Sequence, residues 1–259
     1  KSTIKNLMSK LVLITGAGSG IGRSVSETLA EQGFALILCG RNLDNLKKTK
    51  TKLKNQKIHL THACDIRKIG DIKSALQKNN IKSLYGLVAN AGIGGENTYG
   101  EKDRWLDIIE TNLTGTYQTI QECLPYLKKD DAPFKKVIIL SSILAKLGVP
   151  GYSAYCASKA GLLGLTRSLA VGYSGDKILI NALCPGWVNT DMAQEGIDGF
   201  ADALKITKEQ AYQEAMKQIP LGKMSEPEEI AQLIGYLLCE KQTSLTGQTI
   251  DINNGALMP

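Results

Sequence analysis

Seven short apolar runs recur along this chain, and nearly every gap between them reads as an amphipathic helix. The runs are LVLIT (11–15), ALILC (35–39), IHLTH (58–62), LYGLVA (84–89), KVIILS (136–141), ILINAL (178–183) and QTIDI (248–252). Most are short, β-branched or leucine-rich and apolar at consecutive positions, as parallel strands buried on both faces must be. The spacing between them predicts helices over 20–32, 43–54, 68–78, 102–128, 153–173 and 227–239, the last opened by Ser225 as cap and Pro227 in its first turn. Alternating strand and helix predicts an α/β fold, a doubly wound parallel sheet with right-handed crossovers that put helices on both faces. Ligands of such sheets bind at the carboxyl ends of the strands, near the switch point. No repeat or linker divides the 259 residues, so one domain over 1–259 is expected. The alternation fails only at about 187–222, an insertion of the kind that covers a substrate.

Composition narrows the chemistry. No apolar run approaches the ~18 residues of a membrane span. The first ten residues, KSTIKNLMSK, lack the apolar centre of a secretory signal, so a soluble, cytoplasmic protein is expected. Cys39, Cys64, Cys123, Cys156, Cys184 and Cys239 form no close pair and sit mostly in apolar segments, where reduced cysteine packs as a small hydrophobe. His59 and His62 are the only two histidines. Three apart in a strand, they would point to opposite faces, which leaves no histidine-rich metal site. The net charge of +6 owes much to six lysines between Lys47 and Lys57. Aromatics are only 5%, so these read as a solvated helix face and not as a nucleic-acid surface.

The first strand runs into Thr15-Gly16-Ala17-Gly18-Ser19-Gly20-Ile21-Gly22. Glycine is needed where backbone approaches a pyrophosphate, and the N–H groups opening the next helix attract its charge. The spacing T-G-x-x-x-G-x-G differs from G-x-G-x-x-G, because Ile21 occupies the place of that pattern's last glycine. After the second strand stands Arg41, with no carboxylate before Asp44. An acidic residue there would bind a ribose 2′-hydroxyl, whereas arginine meets a 2′-phosphate, so NADP(H) is favoured over NAD(H). Asp65 ends the third strand, where it would accept from an adenine amino group or cap the following helix. Asn90-Ala91-Gly92 ends the fourth.

Tyr155 and Lys159 lie four apart and share a helix face. A neighbouring ammonium lowers a tyrosine's pKa, which lets the pair pass a proton near neutral pH. Ser142, at the end of the fifth strand, would hydrogen-bond a substrate oxygen. Asn112 lies in a helix interior, where its propensity is poor, and would hold a water that links Lys159 to solvent.

The glycine pattern, Asn90-Ala91-Gly92, Asn112, Ser142, Tyr155-x-x-x-Lys159 and Pro185-Gly186, in this order and spacing, closely resemble the short-chain dehydrogenase/reductase family over about 10–255. The resemblance implies a single Rossmann-type domain with a parallel seven-stranded sheet, and hydride transfer between nicotinamide and a carbonyl or alcohol carbon. It implies Tyr155 as acid/base, Ser142 orienting the substrate oxygen, Lys159 on the nicotinamide ribose, and Asn112 holding the relay water. Gly16, Ser19, Gly20, Ile21, Gly22, Asp65, Ile66, Asn90, Ala91 and Gly92 would line the cofactor, with Pro185, Gly186, Val188 and Thr190 at its nicotinamide end and phosphates. The family's Asn-Asn-Ala-Gly reads Ala89-Asn90-Ala91-Gly92 here, and the basic residue frequent in NADP-preferring glycine turns is Ser19, so the preference rests on Arg41.

Length and the run Pro185-Gly186-Trp187-Val188-Asn189-Thr190-Asp191-Met192 look most like 3-oxoacyl-thioester and polyketide ketoreductases. Lys128 and Lys129 would offer an acyl carrier protein positive charge at the substrate mouth, although Asp176 stands where such enzymes often have arginine. Phe200, Leu204, Tyr212 and Met216 suggest an apolar substrate pocket. The resulting expectation is an NADPH-dependent reductase of a ketone. The alternatives are an NAD-dependent dehydrogenase of an alcohol, polyol or hydroxysteroid, and a nucleotide-binding protein without turnover. The family is usually tetrameric, and the helices flanking the fifth strand would pack across subunits (or form a dimer) through Ala154, Ala157, Ala160, Gly161 and Gly164.

Overall fold

The computed structural model describes residues 10–258, so the reading of the extreme N-terminus lies outside them for all but Lys10. Strands β1 (Leu11–Thr15), β2 (Ala35–Gly40), β3 (Leu60–Ala63), β4 (Gly86–Ala89), β5 (Lys135–Leu140), β6 (Ile178–Pro185) and β7 (Thr249–Ile252) form one sheet in the order β3-β2-β1-β4-β5-β6-β7. All six pairings are parallel. The order reverses between β1 and β4, which is the switch point where a doubly wound sheet opens a crevice. Helices α1 (Gly20–Glu31), α2 (Leu43–Lys52), α3 (Asp71–Lys78), α5 (Ser153–Gly172) and α8 (Pro227–Leu238) run as single segments. Helix α4 starts as Trp105–Ile109, passes through a π-helical turn at Glu110–Thr114 and continues as Gly115–Leu127.

Period-two alternation divides the strand residues between two cores. Leu13, Ile37, Leu87, Val137 and Ile139 face α3, α4 and α5, where they meet Leu76, Ile120, Leu124 and Leu162. Val12, Ile14, Leu36, Leu38, Val88 and Ile138 face α1, α2 and α8, where they meet Val25, Leu29, Leu46 and Ile234. Both faces of the central strands are therefore dry, which is why these strands are apolar at consecutive positions instead of every second one, while the edge strands β3 and β7 are only partly buried. Tyr85, fully buried, donates its hydroxyl to Leu238 O at 2.7 Å and ties β4 to the end of α8. The insertion folds as α6 (Asp191–Leu204) and α7 (Lys208–Lys217) around a third core of Ala193, Ile197, Ala201, Ala211, Met216 and Ile219.

Several boundaries differ from the sequence reading, each for a local reason. The third run does not start its strand at Ile58. Asn55 turns with φ 58° into a 3-10 turn at Gln56–Ile58, and pairing begins at Leu60. His59 is thus outside the strand and fully buried, its ring nitrogen 2.8 Å from Lys54 O. Helix α3 begins at Asp71, behind Gly70 with φ 90°, and its amides at Gly70 and Lys73 are taken by Glu122 of α4 at 2.5 and 2.7 Å. Helix α8 is capped by Glu226, in a reciprocal box with Glu229, and not by Ser225, which is buried behind it. Of the four residues expected to form an apolar substrate pocket, Met216 belongs to the third core, Tyr212 packs against it, and Phe200 and Leu204 face solvent. Among the described residues no helix is long and apolar enough to cross a membrane.

Candidate active site

The carboxyl end of β1 is laced to that of β4. Thr15 Oγ1 accepts from the amides of Asn90 (3.1 Å) and Ala91 (3.0 Å), and Asn90 Nδ2 donates back to Thr15 O at 2.9 Å. This leaves no room for side chains. A Cβ on Gly22 would overlap the carbonyl oxygen of Gly16 and lie 2.6 Å from Asn90 Nδ2, and Gly16 itself holds φ 67°. The glycines are needed to bring the turn, the start of α1 and β4 together. Ser19 stands at the N-cap of α1 without capping it, so the helix presents its amides outward. Gly20 faces Thr190, whose Cγ2 would lie 3.2 Å from a Cβ there. Ile21 packs on the second core.

Two residues of this turn escaped the sequence reading. Arg23 Nη2 donates to Gly18 O at 2.6 Å, and Thr49 Oγ1 of α2 donates to Ala17 O at 3.0 Å. Together they latch the turn's outer carbonyls. An arginine directly after the last glycine of the pattern is a usable signal; Thr49, which only tertiary packing brings near, leaves none.

Arg41 is exposed at the end of β2, and its charge is felt at Asp65, which follows the neighbouring strand β3. Asp65 does not cap α3. Arg67 grips its carboxylate through Nη2 at 2.7 Å and Nε at 3.1 Å and holds it down to about 2. Ile66 has its side chain buried against Gly115. Pro185 and Gly186 close β6, Gly186 donating to Ile252 O at 3.0 Å, and Val188 is buried in the second core beside the Ser225 bridge. This cradle, in which a Cβ would fill the space at several points, fits an extended dinucleotide lying across the switch point.

Ser142, Tyr155, Lys159 and Asn112 come together beyond β4 and β5. Ser142 leaves β5 with its Oγ accepting from Leu144 N at 3.2 Å. Ser141 Oγ donates to Lys159 O at 2.9 Å and pins α5 to the strand. Lys159 is buried, its Nζ donating to Leu140 O at 2.9 Å and lying 5.6 Å from the Tyr155 ring centroid. A Cβ on Gly92 would lie 3.1 Å from Asn112 Oδ1 and 3.5 Å from Lys159 Nζ, so this glycine admits both. Asn112 sits in the π-helical turn, fully buried. Its Oδ1 accepts from Ile93 N at 2.8 Å, and its Nδ2 donates to Ile93 O at 2.9 Å and Ser158 Oγ at 3.2 Å. The extra residue of a π turn explains an asparagine inside a helix: it faces inward and holds the chain that leaves β4.

Charge in this cluster departs from the expected pattern. Burial pushes the Tyr155 phenol above its ordinary value, and the Ser142 hydroxyl draws it back. Lys159 is not among the groups that shift the phenol, and its ammonium is aimed at Leu140 O. Burial brings Lys159 itself down to about 8. Lys128 and Lys129 are not at the mouth of this chain's crevice. Lys128 pairs with Asp176 at 2.8 Å, beside the amino end of β6 and opposite Ser142. The mouth is edged by Met192 of α6, against Gly94, and by Lys146, paired with Asp251 at 2.6 Å.

The family model described as enoyl-(acyl carrier protein) reductase matches residues 16–256. A putative ketoacyl reductase of Streptomyces coelicolor is 29% identical over 254 residues, covering 95% of this chain and 97% of its own. A 3-oxoacyl-(acyl-carrier-protein) reductase of Staphylococcus aureus is 31% identical over 257 residues, covering 97% and 99%. Among solved structures, a variant of actinorhodin polyketide ketoreductase with NADPH superposes with a TM-score of 0.89 at 29% identity, covering 96% of this chain and 97% of that one. Levodione reductase superposes at 0.87 with 25% identity, covering 96% and 97%.

A lysine held down to about 8 when folded and near its ordinary 10.5 when unfolded destabilises the fold at neutral pH. Between these values the unfolded chain binds the extra proton, so stability rises with pH. In urea unfolding of the cofactor-free protein, the parent should gain on Lys159→Met from pH ~8 to ~10.5, by on the order of 3 kcal/mol. A difference that stays flat over this range would place the charge elsewhere.

Proposed function

Because this chain belongs to the short-chain dehydrogenase/reductase family, we propose that it is an NADPH-dependent ketoreductase that turns a ketone into a secondary alcohol. The single observation that carries this is the convergence of Ser142, Tyr155 and Lys159 beside a glycine cradle shaped for a dinucleotide. A bound reduced nicotinamide would supply the hydride. Ser142 and Tyr155 bind and polarise the carbonyl oxygen, and Tyr155 gives it a proton as it becomes an alkoxide. Lys159 favours the resulting phenolate once its ammonium swings from Leu140 O toward the ribose and the phenol. Lys159 then restores the phenol with its own proton, and Asn112, released in part from Ile93, holds the water that re-protonates Lys159. General acid catalysis of this kind contributes ~10² to 10⁴ in rate. Two hydroxyls suit a carbonyl oxygen, which favours a ketone over the double bond that the word enoyl in the family model's description implies.

For the cofactor, Arg41 is the cation that meets a 2′-phosphate, helped by the lack of a competing carboxylate at the end of β2. The actinorhodin ketoreductase variant, solved with NADPH, agrees with this. Gly16, Ser19, Gly20, Ile21 and Gly22 take the pyrophosphate side, Asp65, Ile66, Asn90, Ala91 and Gly92 the adenosine and ribose side, and Pro185, Gly186, Val188 and Thr190 the nicotinamide side. For the substrate, the relatives' names point to 3-oxoacyl thioesters or polyketide-like ketones, which an acyl carrier protein would present. The insertion of about 187–222 covers that substrate.

A homotetramer is the assembly proposed. Trp105, Leu106 and Tyr117 of α4 and Val171 of α5 are exposed, Ala157 and Ala160 lie on the surface, and Gly164 faces open space. Ala154 and Gly161 do not contribute: the first is buried, and Leu113 of the same chain packs on the second.

With a 3-oxobutanoyl thioester as probe, Tyr155→Phe should lose ~10³-fold or more in NADPH oxidation while cofactor binding holds; retained turnover would end this mechanism. In fluorescence titrations run in parallel, NADPH should bind tighter than NADH, and Arg41→Ala should erase ~10-fold or more of that preference. Tighter NADH binding by the parent would instead direct the search to alcohols, polyols and steroids. Light scattering at micromolar concentration should give four times the 28.0 kDa chain mass, and a monomer would refute the assembly.

A further inference from the structure

The loop that leaves β4 makes a set of contacts that the cofactor cradle and the Ser142–Tyr155–Lys159 face do not use. Helix α5 begins at Ser153, and the preceding Tyr152 provides no side-chain cap. The first turn is capped from a distance. Asn97 Oδ1 accepts from Ala154 N at 2.9 Å and from Ser153 Oγ at 3.1 Å. The Asn97 amide donates to Gly151 O at 2.8 Å, which holds the chain just before the helix. On its other side, Asn97 Nδ2 donates to Asp103 Oδ1 at 3.2 Å, and the same oxygen accepts from Trp105 N at 2.9 Å at the start of α4. One carboxamide thus joins the loop to the first turns of both helices. Tyr155 is the next residue after Ala154, so the peptide that Asn97 holds lies directly before the one that carries the phenol, in the same helical turn.

We propose that Asn97 is a positioning residue, which fixes the first turn of α5 against the loop after β4 and so sets the Tyr155 hydroxyl toward Ser142. This rests on Tyr155 acting as the acid/base. A cap supplied by the adjoining residue moves with its helix. A cap supplied from 57 residues earlier in the chain refers the helix to another element. That element is itself registered to the site, because Asn112 holds both backbone groups of Ile93 at its start. Loss of the acceptor leaves the first turn free to tilt, and the long phenol amplifies a small tilt at its tip. Misplacement of a reacting group by about an ångström costs up to ~10²-fold in rate without a matching change in binding.

The test compares Asn97→Ala with the exchanged pair Asn97→Asp/Asp103→Asn, which keeps an acceptor for Ala154 N and rebuilds the link to residue 103 with donor and acceptor reversed. For Asn97→Ala, kcat with the 3-oxobutanoyl thioester should fall ~10- to 100-fold, while KM and NADPH affinity stay within about two-fold. The exchanged pair should recover most of kcat, to within about three-fold of the parent. Normal kcat in Asn97→Ala, or an exchanged pair no better than it, would overturn the proposal. Hydrogen exchange at the Ala154 amide of the parent keeps the test open should Asn97→Ala fail to fold: the amide should be protected, and exchange at the rate of a free amide would equally overturn it. Tyr155→Phe separates the two readings. If that variant stays active, the acid/base assignment falls; if it is inactive while Asn97→Ala is normal, only the role of Asn97 falls.

Discussion

The structure depends on how closely two strand ends can approach at the switch point. Thr15 and Asn90 exchange hydrogen bonds across β1 and β4, and the contact is possible only because Gly16 and Gly22 leave space between them. A β-carbon at residue 22 would collide with the carbonyl of residue 16. From this contact follow the direction of α1, the outward amides at its start, and the crevice between the two halves of the sheet. Arg23 and Thr49 hold the same turn from outside. The glycines therefore serve packing first, and the surface they leave bare is a consequence of it.

Burial governs the Ser142–Tyr155–Lys159 face in the same way. Lys159 carries a charge into a dry site with a backbone carbonyl, Leu140 O, as its hydrogen-bond partner. Its lowered proton affinity is the physical sign of that burial. Tyr155 is raised for the same reason. The pair is thus held in a state from which a small rearrangement, with a ribose and a carbonyl to satisfy the freed groups, would tip both toward proton transfer. Asn112 follows the same logic, since its buried carboxamide is satisfied by Ile93 and Ser158.

Much of the fold is legible in the residues. Runs apolar at every position announce strands with two dry faces, and the two cores divide those runs as the period of two requires. The differences are local. The third strand begins late because Asn55 takes a left-handed turn, and α3 begins late because Gly70 does. Neither shift changes the apolar pattern, so neither can be read from it. Asp65 stands at the expected strand end, but its carboxylate goes to Arg67 and not to a helix amide of α3. Lys128 and Lys129 are expected near the mouth by resemblance alone, while the topology carries Lys128 to the far end of the sheet and pairs it with Asp176.

The sequence by itself determined the order of elements and the crevice at the switch point. These depend on periodicity, on glycine at points of close approach and on side-chain chemistry, all of which are properties of short segments. Only the tertiary structure decided which side chains meet across long separations. Asn97 caps a helix that starts 56 residues later, Glu122 caps one that lies before it, and Thr49 closes a turn on another strand. Such contacts leave no periodic trace. A buried amide must find an acceptor, but which residue supplies it depends on how the layers pack.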